Sequence, residues 1–328
     1  MVDSLSSRQL LELFENRGMI IDDETAERKL NNIGYYKIKE YADPFFKDNN
    51  YNGLLFSSII RRYYYDKNLR IHLLDAIEVI ELAFKNKIAN ILGERGAFEY
   101  LDFLSWTNKN NFSSEFIISE QIYIKNQIIK MVKKSNRKEY TREPNLISVG
   151  NKFKNIEENQ KVQQYPTVWL SIELLSFGQI HNLYKIMDSK LQDDVARYFG
   201  CSRNMLNSWI GTVVLTRNLC AHASNLVDTK LKTVPKLKSS WKEYLVEVET
   251  KKSGIKYSNR VGCLIMPVLE LINNIDPTYG IGNVILDLKK LIKPVRKEGI
   301  GLTNMIGFKS KGLMFDFLKN HNLNNKNE

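Results

Sequence analysis

Proline, glycine, cysteine and histidine are all scarce in this chain, with seven, 17, three and four residues among 328. So few helix breakers argue against a loop-rich or all-β design and leave room for long helices. Cys201, Cys220 and Cys263 have no neighbouring Cys or His at zinc-finger spacing, so neither a disulfide framework nor a structural zinc is expected. With only His72, His181, His222 and His321, a histidine-built metal site would need the fold to gather several of them; no metal and no cofactor is expected. Long apolar runs are missing too. The first residues carry Asp3 without an uninterrupted apolar stretch, and the most apolar segment, VGCLIMPVLELI, is interrupted by Pro267 and Glu270. Neither a secretion signal nor a membrane span is expected, and the cysteine usage argues for a reducing cytoplasm as the expected location. Enzyme signatures are equally thin: there is no Walker loop, no Gly-x-Gly-x-x-Gly, no Gly-x-Ser-x-Gly, no His-Glu-x-x-His and no kinase set.

What is present is positive charge and helical periodicity. Net charge is +11, which favours polyanionic partners, nucleic acid first. The excess sits in two stretches. Residues 125 to 161 hold ten basic against four acidic residues, with Pro144 and Gly150 marking a loop, and residues 223 to 328 hold 18 against ten. Either stretch is a solvated face or a track for backbone phosphate. In the second, Trp241, Tyr244, Tyr257 and Tyr279 belong equally well to a core or to a stacking surface. The tail HNLNNKNE reads as frayed. Leu73, Ile77, Ile80, Phe84, Ile88 and Ile91 recur at steps of three and four and predict a helix over residues 66–92, with Asp66–Arg70 and Glu81–Lys85 pairing on its outside and Gly93 as its stop. A second helix is expected after Pro166, interrupted at Gly178 and continuing through Ile180, Leu183 and Met187. Shorter elements are expected over residues 101–120.

The segment richest in chemistry is SRNMLNSWIGTVVLTRNLCAHASN, residues 202–225. Ser202 suits a helix cap, and Leu206, Ile210 and Val213 form a stripe. The next step of four lands on Arg217, whose guanidinium would be costly on a buried stripe without a carboxylate or a phosphate. His222 lies about 140° further round an ideal helix, and Asn218, four residues before it, can orient the imidazole or reach the same ligand. Arg and His together suit RNA cleavage, because the guanidinium holds the phosphate while imidazole moves protons near neutral pH. A purely structural alternative pairs Arg217 with Glu78 or Glu173 and leaves His222 merely ending the helix.

Four blocks, NIGYYKIKEYADPFF, DKNLRIHLLDAIEVIELAFKNKIANIL, YPTVWLSIELLSFGQIHNLYKIM and RNLCAHAS, occur in an order that resembles the abortive-infection proteins of the AbiD/AbiF type, an Abi-like branch of the HEPN ribonuclease superfamily. The likeness runs from about residue 8 to about residue 228. It implies an all-α, HEPN-like helical bundle with additional helices, in which an Arg-x4-6-His motif forms a ribonuclease centre completed by a second copy. Carried over, Arg217 holds the phosphate, Asn218 is the polar residue after the Arg, and His222 is general acid or base. The implied reaction is metal-independent attack of the RNA 2′-hydroxyl on the adjacent phosphate, giving 2′,3′-cyclic phosphate and 5′-hydroxyl ends. The implied setting is defence against bacteriophage by a cytoplasmic homodimer with an RNA substrate and, by the family's habit, a regulatory non-coding RNA. Relatives continue past the motif with a second His and then Ser-Arg-Leu-Trp, whereas this chain has Ala223, Ser224, Asn225, Leu226 and Val227.

The resemblance divides the chain into an Abi-like HEPN domain, residues 1–230, and a basic, mostly helical C-terminal extension, residues 231–328. Two other classes stay open. One is a non-catalytic RNA-binding regulator using the same Arg and His; the other is a scaffold whose basic surfaces bind protein or DNA.

Overall fold

The computed structural model describes residues 4–140, 142, 146–149, 163–250, 254–295 and 302–321. The expected loop at Pro144 and Gly150 and the tail beyond His321 lie outside them. The chain is all-α, as its periodicity predicts. In chain order the helices are α1 (Ser7–Glu15), α2 (Ala26–Ile33), α3 (Tyr35–Ala42), α4 (Phe56–Gly93), α5 (Ser114–Lys134), α6 (Val168–Glu173), α7 (Phe177–Ile186), α8 (Ser189–Tyr198), α9 (Arg203–Ala221), α10 (Gly262–Ile275), α11 (Gly282–Leu291) and α12 (Lys311–Asn320). Strand structure is confined, among the described residues, to three short pairings. They are β1 (Met19–Ile20) parallel to β2 (Leu54–Leu55), and the antiparallel pairs β3 (Leu146–Val149) with β4 (Gln163–Pro166) and β5 (Glu247–Thr250) with β6 (Gly254–Tyr257).

α4 spans 38 residues and begins ahead of the stretch that periodicity marks. Its expected apolar stripe is inside, with Leu73, Ile80, Phe84 and Ile88 fully buried, and the helix ends at Gly93 as predicted. Gly93 does more than stop it: a Cβ there would come within 2.4 Å of the Trp169 ring, whose Nε1 donates to Asn90 Oδ1 at 2.9 Å. The close approach of an aromatic ring therefore requires glycine. Glu81 and Lys85 pair at 2.8 Å. Asp66 and Arg70 also pair, at 3.2 Å, but inside rather than outside, with Asp66 fully buried. The break after Pro166 is likewise displaced. It falls between α6 and α7, where Ser176 accepts from the Gln179 N–H and the Gln179 side chain accepts from the Ser176 N–H; Gly178 sits inside α7. This reciprocal cap starts a new helix, whereas one glycine near a helix end is tolerated.

The fold forms two compact units, one of residues 1–77 with 215–328 and one of residues 78–214. In the first, α10 is buried over eleven consecutive residues, Gly262 to Ile272. Glu270 in its middle is held by Lys238 and by His321 at 3.2 Å, which answers the cost of burying a carboxylate. Trp241, Phe308 and Phe317 are buried in the same unit, so Trp241 belongs to the core and not to a stacking surface. Tyr279 donates to Asp75 at 2.5 Å, and His72 meets the buried Asp287 at 2.6 Å. Residues 231–328 include the β5–β6 hairpin beside three helices. In the second unit Phe84 meets the rings of Phe177, Tyr184 and Phe199 at 6.1, 5.4 and 5.9 Å. His181 is buried there with Nε2 2.9 Å from Asn207 Oδ1, and burial lowers its pKa to about 4, so it stays neutral at physiological pH. No described helix is long and apolar enough to cross a membrane.

Candidate functional site

The site is built on the last turn of α9 and the segment that follows. Ser202 accepts from the Met205 N–H at 3.4 Å at the start of this helix. Leu206, Trp209, Ile210 and Val213 are fully buried. From Val213 the buried face steps by three to Thr216, which is 0% exposed, and then by four to Cys220. Arg217 is consequently one position off the stripe and is exposed, contrary to the expectation that it would be buried. It pairs with neither Glu78 nor Glu173; Glu173 instead meets Arg137 at 3.0 Å. Among the described residues the Arg217 guanidinium has no carboxylate partner, and Nη1 reaches only Asn218 Oδ1 at 3.5 Å.

Asn218 and His222 are exposed as well. The Asn218 carbonyl accepts the His222 N–H at 3.0 Å, but its side chain turns to Arg217 and not to the imidazole. His222 is the one exposed histidine: His72 and His321 face carboxylates and His181 is buried. Cys220 is buried, and burial pushes its thiol up to about 12, so it holds its proton and is no nucleophile at neutral pH.

Past His222 the chain reverses. Ala223 adopts φ +52°, and the N–H groups of Ser224 and Ala223 return to the carbonyls of Leu219 (3.0 Å) and Cys220 (3.3 Å). This is a Schellman closure with alanine where glycine is usual. It delivers residues 225–228 to α4. There the Asp66 carboxylate accepts from the N–H groups of Val227 at 2.8 Å and Leu226 at 3.3 Å, from the Tyr41 hydroxyl at 2.5 Å, and from Arg70 Nε. Burial pushes the Asp66 carboxyl up from its ordinary range, while these donors pull it down. Asp228 adds a second tie, to Arg62 Nη2 at 2.6 Å, and Asn225 Nδ2 closes the turn on Asp228 Oδ2 at 2.9 Å. These anchors escape a local reading because Asp66 and Val227 are 161 positions apart. The available hint was a charged Asp66–Arg70 pair close to apolar Leu69 and Leu73.

The residues expected for the site thus stand together on one solvent-facing helix end, held by a buried carboxylate. An arginine and an imidazole in that position can bind phosphate and transfer protons. Among the described residues no cluster of three or more His, Cys, Asp or Glu side chains is placed to hold a metal ion.

The fold and the site define an all-α protein that offers a guanidinium and an imidazole to solvent at the end of a helix. The family model described as Abi-like protein matches residues 28–228, more than half of the chain, and the chain belongs to that family. No curated protein and no solved structure gave a significant match.

Proposed function

We propose that this protein is a metal-independent endoribonuclease acting in abortive-infection defence against bacteriophage. Membership of the Abi-like family supports the defence role. The observation that carries the chemistry is the exposure of Arg217, free of any carboxylate among the described residues, on the same helix end as the one exposed histidine, His222. With no acid among the described residues to neutralise it, this guanidinium is available to a phosphate.

In the proposed reaction Arg217 binds the scissile phosphate and offsets charge that builds on its oxygens. An imidazole removes the proton of the RNA 2′-hydroxyl, the resulting oxygen attacks phosphorus, and an imidazolium protonates the departing 5′-oxygen. One chain supplies one such His, so the base and the acid come from two copies of His222 across a two-fold axis. The products are a 2′,3′-cyclic phosphate and a 5′-hydroxyl. Asn218, bonded to Arg217, steadies the guanidinium. A non-coding RNA occupying this surface would hold the enzyme inactive, in keeping with the net charge of +11.

The test is incubation of wild type, Arg217→Ala and His222→Ala with labelled RNA in EDTA, followed by end analysis. Cutting by wild type alone, with cyclic phosphate ends, is expected. Because both side chains are exposed and have no ion pair among the described residues, each variant keeps its stability within about 0.5 kcal/mol of wild type. Cleavage surviving His222→Ala would remove the assignment. RNA bound but never cut would make the pair a binding element of a regulator in the same defence system.

A further inference from the structure

A second basic site lies apart from the Arg217–His222 pair in sequence and does not depend on it. The first turns of α4 place Ser58, Arg61, Arg62 and Tyr65 on one face by steps of three, one and three. Across from them, Lys290 in the last turn of α11 and Lys293 just beyond it complete the wall of a cavity of about 340 Å³. No carboxylate among the described residues lines it.

The Arg62 side chain is 2% exposed. Its Nη2 is satisfied by Asp228, and its guanidinium lies 5.4 Å from the Phe45 ring centroid. Nε and Nη1 are buried with no hydrogen-bond partner among the described residues. Two unanswered donors on a buried cation are costly, of order 1–3 kcal/mol each, and rare in folded proteins. The neighbouring cations have no acid partner among the described residues. Arg61 gives its two terminal nitrogens to the hydroxyls of Ser57 (3.2 Å) and Ser58 (2.8 Å) and meets no acid among the described residues. Lys290 sits 5.6 Å from the Tyr65 ring centroid, and neither it nor Lys293 has a carboxylate partner among the described residues. Four positive side chains converging on one cavity, with Asp228 the one acid paired with them among the described residues, would repel one another unless an anion joined them.

We infer that this cavity is a binding site for a terminal phosphate, the phosphate of a free nucleotide or of an RNA 5′ end. Arginine forks suit phosphate oxygens, lysine adds point charge, and the Tyr65 ring is available to a base or sugar beside the phosphate. The cavity volume suits a nucleotide-sized group.

Full-length protein, as wild type and in the His222→Ala background that leaves RNA uncut, is titrated calorimetrically with ATP. Short oligoribonucleotides that differ only in a 5′-triphosphate or a 5′-hydroxyl are titrated in parallel. Saturable binding of ATP or of the 5′-triphosphate RNA is expected, weakened by about tenfold or more in Lys290→Ala/Lys293→Ala. That double variant avoids disturbing the buried Arg62–Asp228 pair. ATP binding as tightly as the triphosphate RNA assigns the site to free nucleotides; preference for the triphosphate RNA over both ATP and its 5′-hydroxyl counterpart assigns it to RNA ends. The inference is overturned if neither phosphorylated ligand binds saturably, or if the lysine double variant binds both as wild type does.

Discussion

Asp66→Ala tests how the candidate site is held. The substitution removes an acceptor serving four donors: the Tyr41 hydroxyl, Arg70 Nε, and the N–H groups of Leu226 and Val227. Tyr41, Leu226 and Val227 are fully buried and Arg70 is 6% exposed, so solvent reaches none of these groups without local opening. Leaving one buried donor unanswered costs about 1–3 kcal/mol, and breaking a buried ion pair costs about 3–5 kcal/mol. The four donors share one cavity that water can partly fill, so the terms do not add. A loss of about 4 kcal/mol is expected, a large share of the 5–15 kcal/mol that typically stabilises a domain. The conservative Asp66→Asn keeps one acceptor oxygen and should lose about half as much. Urea unfolding followed by circular dichroism reads the midpoint, and hydrogen exchange at the Leu226 and Val227 amides reads the local effect. Those two amides should exchange faster in Asp66→Asn while amides within α10 keep their protection. An Asp66→Ala protein within about 1 kcal/mol of wild type, with unchanged exchange at residues 226 and 227, would refute the claim that this carboxylate anchors the segment after His222.

Two further predictions use local geometry. Ala223 lies in the left-handed region at φ +52°, where a Cβ is strained, so Ala223→Gly should raise stability by about 1 kcal/mol in urea unfolding; a loss would mean that the methyl group packs usefully. Burial raises the Glu270 carboxyl, but the hydrogen bonds from His321 and Lys238 outweigh it and hold the pKa at about 2, well below the ordinary 4.5. A lowered folded-state pKa stabilises the fold above pH 4.5 and loses that contribution as pH falls toward 2. Wild type should therefore shed about 3 kcal/mol across that window beyond any general acid effect. Glu270→Gln should start less stable and show a flatter profile, and parallel profiles in the two proteins would count against the assignment.

Much of the helical architecture is legible in the sequence because it rests on local repetition. The α4 stripe from Leu73 to Ile91, its stop at Gly93 and the cap at Ser202 need only spacing and residue type. Arg217 shows where spacing misleads. After Val213 a step of four and a step of three are equally good helical moves, and the apolar count cannot tell that Thr216, a polar residue that is nevertheless fully buried, takes the inward place. The same weakness set the α6–α7 break at Gly178, although Ser176 and Gln179 carry a reciprocal cap in plain view. Arg217, Asn218 and His222 were found as a group because they lie within one and a half turns; Asp66 and Arg62 were not, because what they hold is more than 150 positions away.

That distance also explains how an exposed pair can be well placed. Side chains in solvent gain no position from packing, so Arg217 and His222 depend on the backbone that carries them. On one side this backbone is a helix whose inner face ends in the buried Thr216 and Cys220. On the other it is a reversal at Ala223 leading to two amides gripped by Asp66 and a carboxylate gripped by Arg62. Within this gripped segment Asn225 closes the turn on Asp228. The consequence is a candidate site whose proposed chemistry rests on exposed side chains and whose geometry rests on buried polar contacts to α4.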